Sequence, residues 1–159
     1  MEQQKLSNLL KFIVIGVGIC SLIVYGFLIP SFASSMKSYY PDLSHYYYPW
    51  LIFVWSTAIP FYIILVCLWK IALHMEHNHS FSKENSKLLA WISNLSLGDA
   101  LFFFIGNVVF LFFNMNHPSI VIVSFFIMFI GIAISVASAI LSHLVRKAAT
   151  LQEENDLTI

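Results

Sequence analysis

Long apolar runs alternate with short polar ones along this chain, and the length of the runs predicts the elements. Phe12–Pro30 carries no charge and neither does Trp50–Trp69; Leu88–Phe113 carries one, Asp99, and Ser119–Ser142 carries none. Each run is close to the roughly 20 residues that an α-helix needs to cross a hydrocarbon core of about 30 Å. Backbone amides in lipid must be satisfied within their own segment, so runs of this length are helices rather than strands. The pattern therefore predicts an all-α membrane protein, a bundle of four transmembrane helices. The spans fall at 12–30, 50–73, 88–113 and 119–143, followed by a polar tail, 144–159.

Punctuation within the pattern refines it. The first run ends on Pro30, and Pro41 and Pro49 limit helix in the connection 31–49. Pro60 falls inside the second run, where it removes one hydrogen bond and kinks the helix. Ser82 has the character of an N-cap, with Glu84 in the first turn complementing the helix dipole, so helix starts ahead of the third apolar run. Gly16, Gly18 and Gly26 give the first span small surfaces that a neighbour can approach. Gly131, Ser135 and Ala139 recur every fourth residue in the last span, a small-residue seam that packs against another span or, alternatively, builds a homodimer.

Composition narrows the class. Of 159 residues 59% are hydrophobic and 10% charged, against about 25% charged in a soluble domain. No polar stretch is long enough for a separate soluble domain, so residues 1–159 read as one membrane domain with the lipid bilayer as its solvent. The formal net charge is zero, and no basic patch exists to neutralise phosphates, which argues against direct nucleic-acid binding. Cys20 and Cys67 lie inside apolar runs without C-x-x-C spacing and read as small buried hydrophobes. Lys5 and Lys11 precede a run longer than the 7–15 residues of a signal h-region, so the run reads as an uncleaved first span.

The basic residues orient the chain. Lys5, Lys11, Lys70, Lys83, Lys87, Arg146 and Lys147 flank one side of the spans, and only Lys37 flanks the other. The side rich in Lys and Arg is cytoplasmic. Both termini are then cytoplasmic, and 31–49 and 114–118 face outward.

Candidate chemistry is sparse. Asp99 sits near the middle of the third span, where an ionisable group costs about 2.5–3.5 kcal/mol on insertion scales and should face protein or water. At 100° per residue Ser96, Phe103 and Gly106 share its face and Asn107 lies at its edge, a narrow polar stripe. Asp99, Ser96 and Asn107 are therefore candidate ligand contacts, with hydrogen-bonded helix glue as the plainer reading. The outer connection gathers Tyr46, Tyr47 and Trp50, either an interfacial aromatic belt or a rigid surface for an external ligand. His74, His77 and His79 are a candidate metal set with Zn²⁺-like donors; a solvated, titratable loop is the default, and no obligatory metal or other cofactor is expected. In the tail, Leu157 and Ile159 among Glu153, Glu154 and Asp156 would suit a partner with a basic-rimmed apolar groove. No paired carboxylates, nucleophile–base pair or H-E-x-x-H motif occurs at membrane depth, so no enzyme activity and no catalytic residue is expected.

Phe81-Ser-Lys-Glu-Asn-Ser-Lys-Leu-Leu89 and the terminal Leu151-Gln-Glu-Glu-Asn-Asp-Leu-Thr-Ile159 together resemble a bacterial family of small four-span membrane proteins. That family is catalogued as a domain of unknown function, number twenty-nine seventy-five. The resemblance implies a plasma-membrane protein, often encoded beside a Cro/CI-type helix-turn-helix regulator, and brings no activity, cofactor or catalytic residue. It favours a sensor or regulator acting through a cytoplasmic partner such as that regulator. The alternatives are an immunity protein against a membrane-active peptide, and small-molecule binding or transport that uses Asp99.

The basic asymmetry makes one direct prediction. Reporter fusions placed after Lys147 and within 31–49 should report opposite sides of the membrane. An outward C-terminal fusion would overturn the orientation.

Overall fold

The structure, a computed structural model, describes residues 2–39, 45–76 and 81–156, and every regular element among them is helical. Helix α1 (Glu2–Ile23) runs into a π-helical turn (Val24–Leu28) and on into α2 (Ile29–Tyr39). Helices α3 (Tyr47–Glu76), α4 (Lys83–Phe112) and α5 (Pro118–Asp156) follow. Four helical stretches are long and apolar enough to cross a membrane: Gln3–Ser35, Tyr47–Glu76, Lys83–Phe112 and Pro118–Asn155. The four-span, all-α architecture is the expected one.

The helices outrun the predicted spans, each for a physical reason. Proline lacks an amide hydrogen and its ring meets the carbonyl four residues back, so Pro30 in a regular helix would crowd Gly26. The π turn immediately before Pro30 widens the helix there. The helix therefore passes through Pro30 instead of ending at it. Pro49 lies in the first turn of α3, where no intrahelical partner for an amide exists and proline is tolerated. Helix α4 starts five residues before its apolar run because Ser82 caps it: Ser82 Oγ accepts from the Asn85 amide at 3.1 Å, and Glu84 stands in the first turn. Helix α5 does not stop at 143. Its 39 residues, roughly 58 Å at 1.5 Å per residue, carry most of the polar tail as helix beyond the bilayer.

Packing follows chain order. The most extensive contact is α4 on α5, followed by α3 on α4 and α1 on α3. Cross-links fix the ends: Ser7 of α1 donates to the Ala72 carbonyl of α3 at 2.7 Å, Lys11 pairs with Glu76 at 2.6 Å, and Lys83 of α4 pairs with Glu153 of α5 at 2.5 Å. The start of α1, the end of α3, the start of α4 and the end of α5 therefore share one end, which also holds seven of the eight basic residues, all but Lys37. At this basic end Cys67, Leu89, Ile92 and Val145 bring α3, α4 and α5 into one apolar core. Cys20, by contrast, is exposed on α1, so only Cys67 is the buried thiol expected; both are free.

The α4–α5 seam is built on small and hydroxylated residues. Ser86, Ser93, Ala100 and Asn107 recur every seventh residue on α4, and all four are buried. A seven-residue repeat keeps one face of a helix on its neighbour. Opposite them, Ser86 Oγ donates to the Ser142 carbonyl at 2.9 Å and Ser142 Oγ donates back to the Ser86 carbonyl at 2.7 Å. Ser93 and Ser135 hydroxyls lie 3.0 Å apart, and Ser96 Oγ donates to the Gly131 carbonyl at 3.0 Å. Gly131 is indispensable to this approach, since a Cβ there would sit 2.5 Å from the Ala100 Cβ. Gly131 and Ser135 are thus spent on α4. The seam therefore packs against another span of the same chain, and only Ala139 of the three is exposed.

The hairpin joining α4 to α5 closes with a Schellman motif. The Met115 amide donates to the Phe110 carbonyl at 2.9 Å and the Asn114 amide to the Leu111 carbonyl at 3.0 Å. Asn114 has φ of 55°, a left-handed conformation that asparagine tolerates better than most residues.

Glycine substitutions separate the seam from the lipid-facing surface. Gly131→Ala should destabilise the protein by about 1–3 kcal/mol, the usual cost of overpacking. Gly98→Ala, where a Cβ meets nothing within 4 Å, should be neutral or slightly stabilising. Thermal unfolding in a mild detergent measures both, and equal melting temperatures would contradict the seam.

Candidate functional site

The site grows from the irregular turn in the first span. In the π turn the Tyr25 carbonyl accepts from the Trp55 indole Nε1 at 3.0 Å, a bond from α3 that satisfies a backbone group in the distorted segment. The Tyr25 hydroxyl lies 3.1 Å from Thr57 Oγ1. Thr57 already gives its proton to the Val54 carbonyl at 2.7 Å, so Tyr25 is the donor in that pair. One turn away, the Ser21 and Tyr62 hydroxyls lie 3.1 Å apart. Five polar side chains, Ser21, Tyr25, Trp55, Thr57 and Tyr62, thus pin the first span to α3 near the middle of both.

Asp99 of α4 lies near one member of this group. It stands within electrostatic reach of Tyr25. Its Oδ1 is buried and, among the described residues, has no hydrogen-bond partner. Among the described residues no salt bridge includes it. The two tyrosine hydroxyls do not fill the gap, because each is turned to a hydroxyl of the α1–α3 pair. A carboxylate oxygen in this position costs free energy unless it is protonated or meets a ligand that donates to it.

Other residues of the expected stripe do different work. Ser96 turns to α5 and the Gly131 carbonyl. Asn107, only 1% exposed, spans from the Phe103 carbonyl, to which its Nδ2 donates at 2.8 Å, to Asn116, whose Nδ2 donates to its Oδ1 at 2.8 Å. It locks the α4–α5 hairpin. Sixty to eighty degrees of helix rotation separate these two from Asp99, enough to put them on the next interface. Ser96, Asn107 and Asp99 are therefore not one ligand site. Asp99's true face is the one with Phe103 and Gly106. Phe53 of α3 stacks on Phe103 with centroids 5.9 Å apart and occupies the space over Gly106, where a Cβ would lie 2.3 Å from its ring.

The outer aromatic residues form a separate group. Tyr46 packs on His45 with ring centroids 4.6 Å apart and Tyr47 on Tyr48 at 5.0 Å, at the start of α3, with Trp50 half-buried one turn on. Sequence reasoning missed Tyr25, Thr57, Tyr62 and Trp55. Polar residues at 21, 25, 57 and 62 in otherwise apolar spans were the available signal.

At the basic end, His74 Nδ1 donates to Asn85 Oδ1 at 2.6 Å, and its Nε2 lies 3.8 Å from Glu84 Oε2. His74 thereby joins the end of α3 to the start of α4. His77 and His79 lie outside the described residues, and no group of three or more metal-ligating side chains occurs among the described ones. Of the tail candidates, Glu153 is held by Lys83, Glu154 is on the exposed helix, and Asp156 ends α5. Leu157 and Ile159 lie outside the described residues.

Four apolar helices with one buried carboxyl define a multi-pass membrane protein. The chain belongs to the family described as protein of unknown function (DUF2975), whose profile matches residues 31–159. It is 29% identical over 152 residues to the uncharacterized membrane protein YoaS of Bacillus subtilis (strain 168), covering 94% of this chain and 95% of that one. No solved structure matches.

The Trp55 bond can be tested alone. Trp55→Phe should cost about 1–2 kcal/mol, the range for orphaning a partly buried polar group. The cost should shrink in a Pro30→Ala background, where the π turn is free to regularise. A double-mutant cycle by thermal unfolding measures the coupling, and strictly additive effects would show that proline and indole act independently.

Proposed function

We propose that the protein is a non-enzymatic regulatory protein of the bacterial plasma membrane, with both termini cytoplasmic. A proton or a small donor-bearing ligand taken up at Asp99 changes how the cytoplasmic end of the helices engages a soluble partner. The observation that carries this reading is the orphaned Oδ1 of Asp99, held at membrane depth against a hydroxyl cluster and a π turn. A carboxyl serving only as helix glue would have its acceptors filled, as the serines of the α4–α5 seam do. Intramembrane ionisable residues commonly mark sites of binding or proton exchange.

Among the described residues no ion pair includes Asp99, which supports a binding role over acid–base catalysis, since that needs a positioned partner. The basic asymmetry supports the orientation. The output end would be the helical extension of α5, which carries Glu153, Glu154 and Asp156 clear of the bilayer. A helix-turn-helix regulator, whose basic surface normally meets phosphate, is the class of partner that an acidic helix with apolar punctuation suits.

Cross-linking pull-downs from native membranes test the reading, using the full chain, Asp99→Asn and a truncation after Thr150. The truncation should abolish recovery of the soluble partner, and Asp99→Asn should change it several-fold while leaving thermal stability within about 1 kcal/mol. Identical partners recovered from all three would refute the proposal.

A further inference from the structure

At the basic end, outside the Asp99 cluster, a cleft of about 580 Å³ opens between α4 and α5. Lys83 and Lys87 line it from α4, and His143, Arg146 and Thr150 from α5; no acidic side chain is in its lining. Lys83 is neutralised at the rim by Glu153. Lys87, His143 and Arg146 are exposed, and among the described residues no side-chain hydrogen bond or ion pair engages them. Two permanent positive charges therefore converge on one concave surface without a counter-charge.

The depth of the cleft is set by its neighbours. Trp91 lies one helical turn from Lys87 toward the membrane and is 62% exposed. Trp69 of α3 is at the same end, with Lys11 Nζ 5.9 Å from its ring centroid. Tryptophan at a helix end marks headgroup level. The cleft floor is the reciprocal Ser86–Ser142 pair, whose hydroxyls are already committed, so the free donors are the cationic ones. An inward-facing basic cleft between spans, at headgroup level, complements a phosphate that carries its own acyl chains.

We propose that this cleft binds the headgroup of one anionic phospholipid, its phosphate between Lys87 and Arg146 and its chains along the exposed apolar face beside Trp91. A lipid there bridges α4 and α5 beyond the last serine pair. This site stands apart from Asp99 and does not depend on any role for it.

Native mass spectrometry of the full-length protein, released from vesicles of phosphatidylcholine mixed with phosphatidylglycerol, tests it. One phosphatidylglycerol per chain should be retained in preference to phosphatidylcholine. Lys87→Gln with Arg146→Gln should weaken retention on the order of 30-fold, the effect of losing two charges near a headgroup. Thr150→Glu, which adds a carboxylate to the cleft and removes no cation, should weaken it comparably, so the result does not hang on the folding of one variant. Lys5→Gln with Lys70→Gln, outside the lining, should leave it unchanged. Equal retention of the two lipids, equal losses in the control pair, or complete displacement by matching concentrations of inorganic phosphate would each overturn the proposal.

Discussion

A hydroxyl or amide in hydrocarbon has no water to fall back on, and most polar side chains of this protein answer that constraint by reaching a backbone carbonyl. Ser7 reaches Ala72, Ser86 and Ser142 reach each other, Ser96 reaches Gly131, and Trp55 reaches Tyr25. A side chain as short as serine spans such a distance only if the helices nearly touch. Small residues at the contact and hydrogen bonds across it are therefore one requirement. Gly131 shows this directly: it lets Ala100 approach, and its own carbonyl is the acceptor for Ser96. Bulk at that position would lose packing and leave a buried hydroxyl unpaired together.

Against that background Asp99 is conspicuous for what it does not do. Two of its face-sharing neighbours, Phe103 and Gly106, are filled by Phe53, so its surroundings on α4 are dry and aromatic. The polar group within its electrostatic reach, Tyr25, is tied to Thr57 across the contact with α3. The result is a carboxyl between two hydrogen-bonded systems and a member of neither. Chain features as separate as Pro30 and Trp55 maintain the turn that puts Tyr25 there.

Run length made the four spans legible, and Ser82 with Glu84 made the start of α4 legible, because both signals act within one helix. The continuation through Pro30 was not legible: proline usually ends or kinks a helix, and a π turn that accommodates it depends on an indole donor 30 residues away. Helix α5 hides its length for a related reason, since its polar end is stabilised by Lys83 of another helix rather than by local pattern. The four-residue spacing of Gly131, Ser135 and Ala139 pointed to a seam but not to its partner. The matching seven-residue spacing of Ser86, Ser93, Ala100 and Asn107 named the partner and went unread. Asp99's depth was legible; its company was not, because Ser96 and Asn107 are close in angle yet belong to the next interface.

The two halves of the protein differ in how they are held, and that difference decides which helices would move together. Helices α4 and α5 are zipped along their length and locked at the turn by Asn107 and Asn116. Helix α1 is pinned to α3 at separate points; α3 carries Pro60 internally, and the first span carries Pro30 just beyond its π turn. Discrete ties and a widened turn leave more room for rearrangement than a continuous small-residue seam. Asp99 sits on the rigid half and looks at the adaptable one. The α4 helix that carries Asp99 also carries Lys83, which holds the extension of α5 through Glu153. A change in the occupancy of Asp99 that shifted α4 relative to α1 and α3 would move the base of that extension with it, because the seam prevents α5 from staying behind. No separate relay is required: one stiff hairpin spans from the buried carboxyl to the polar end.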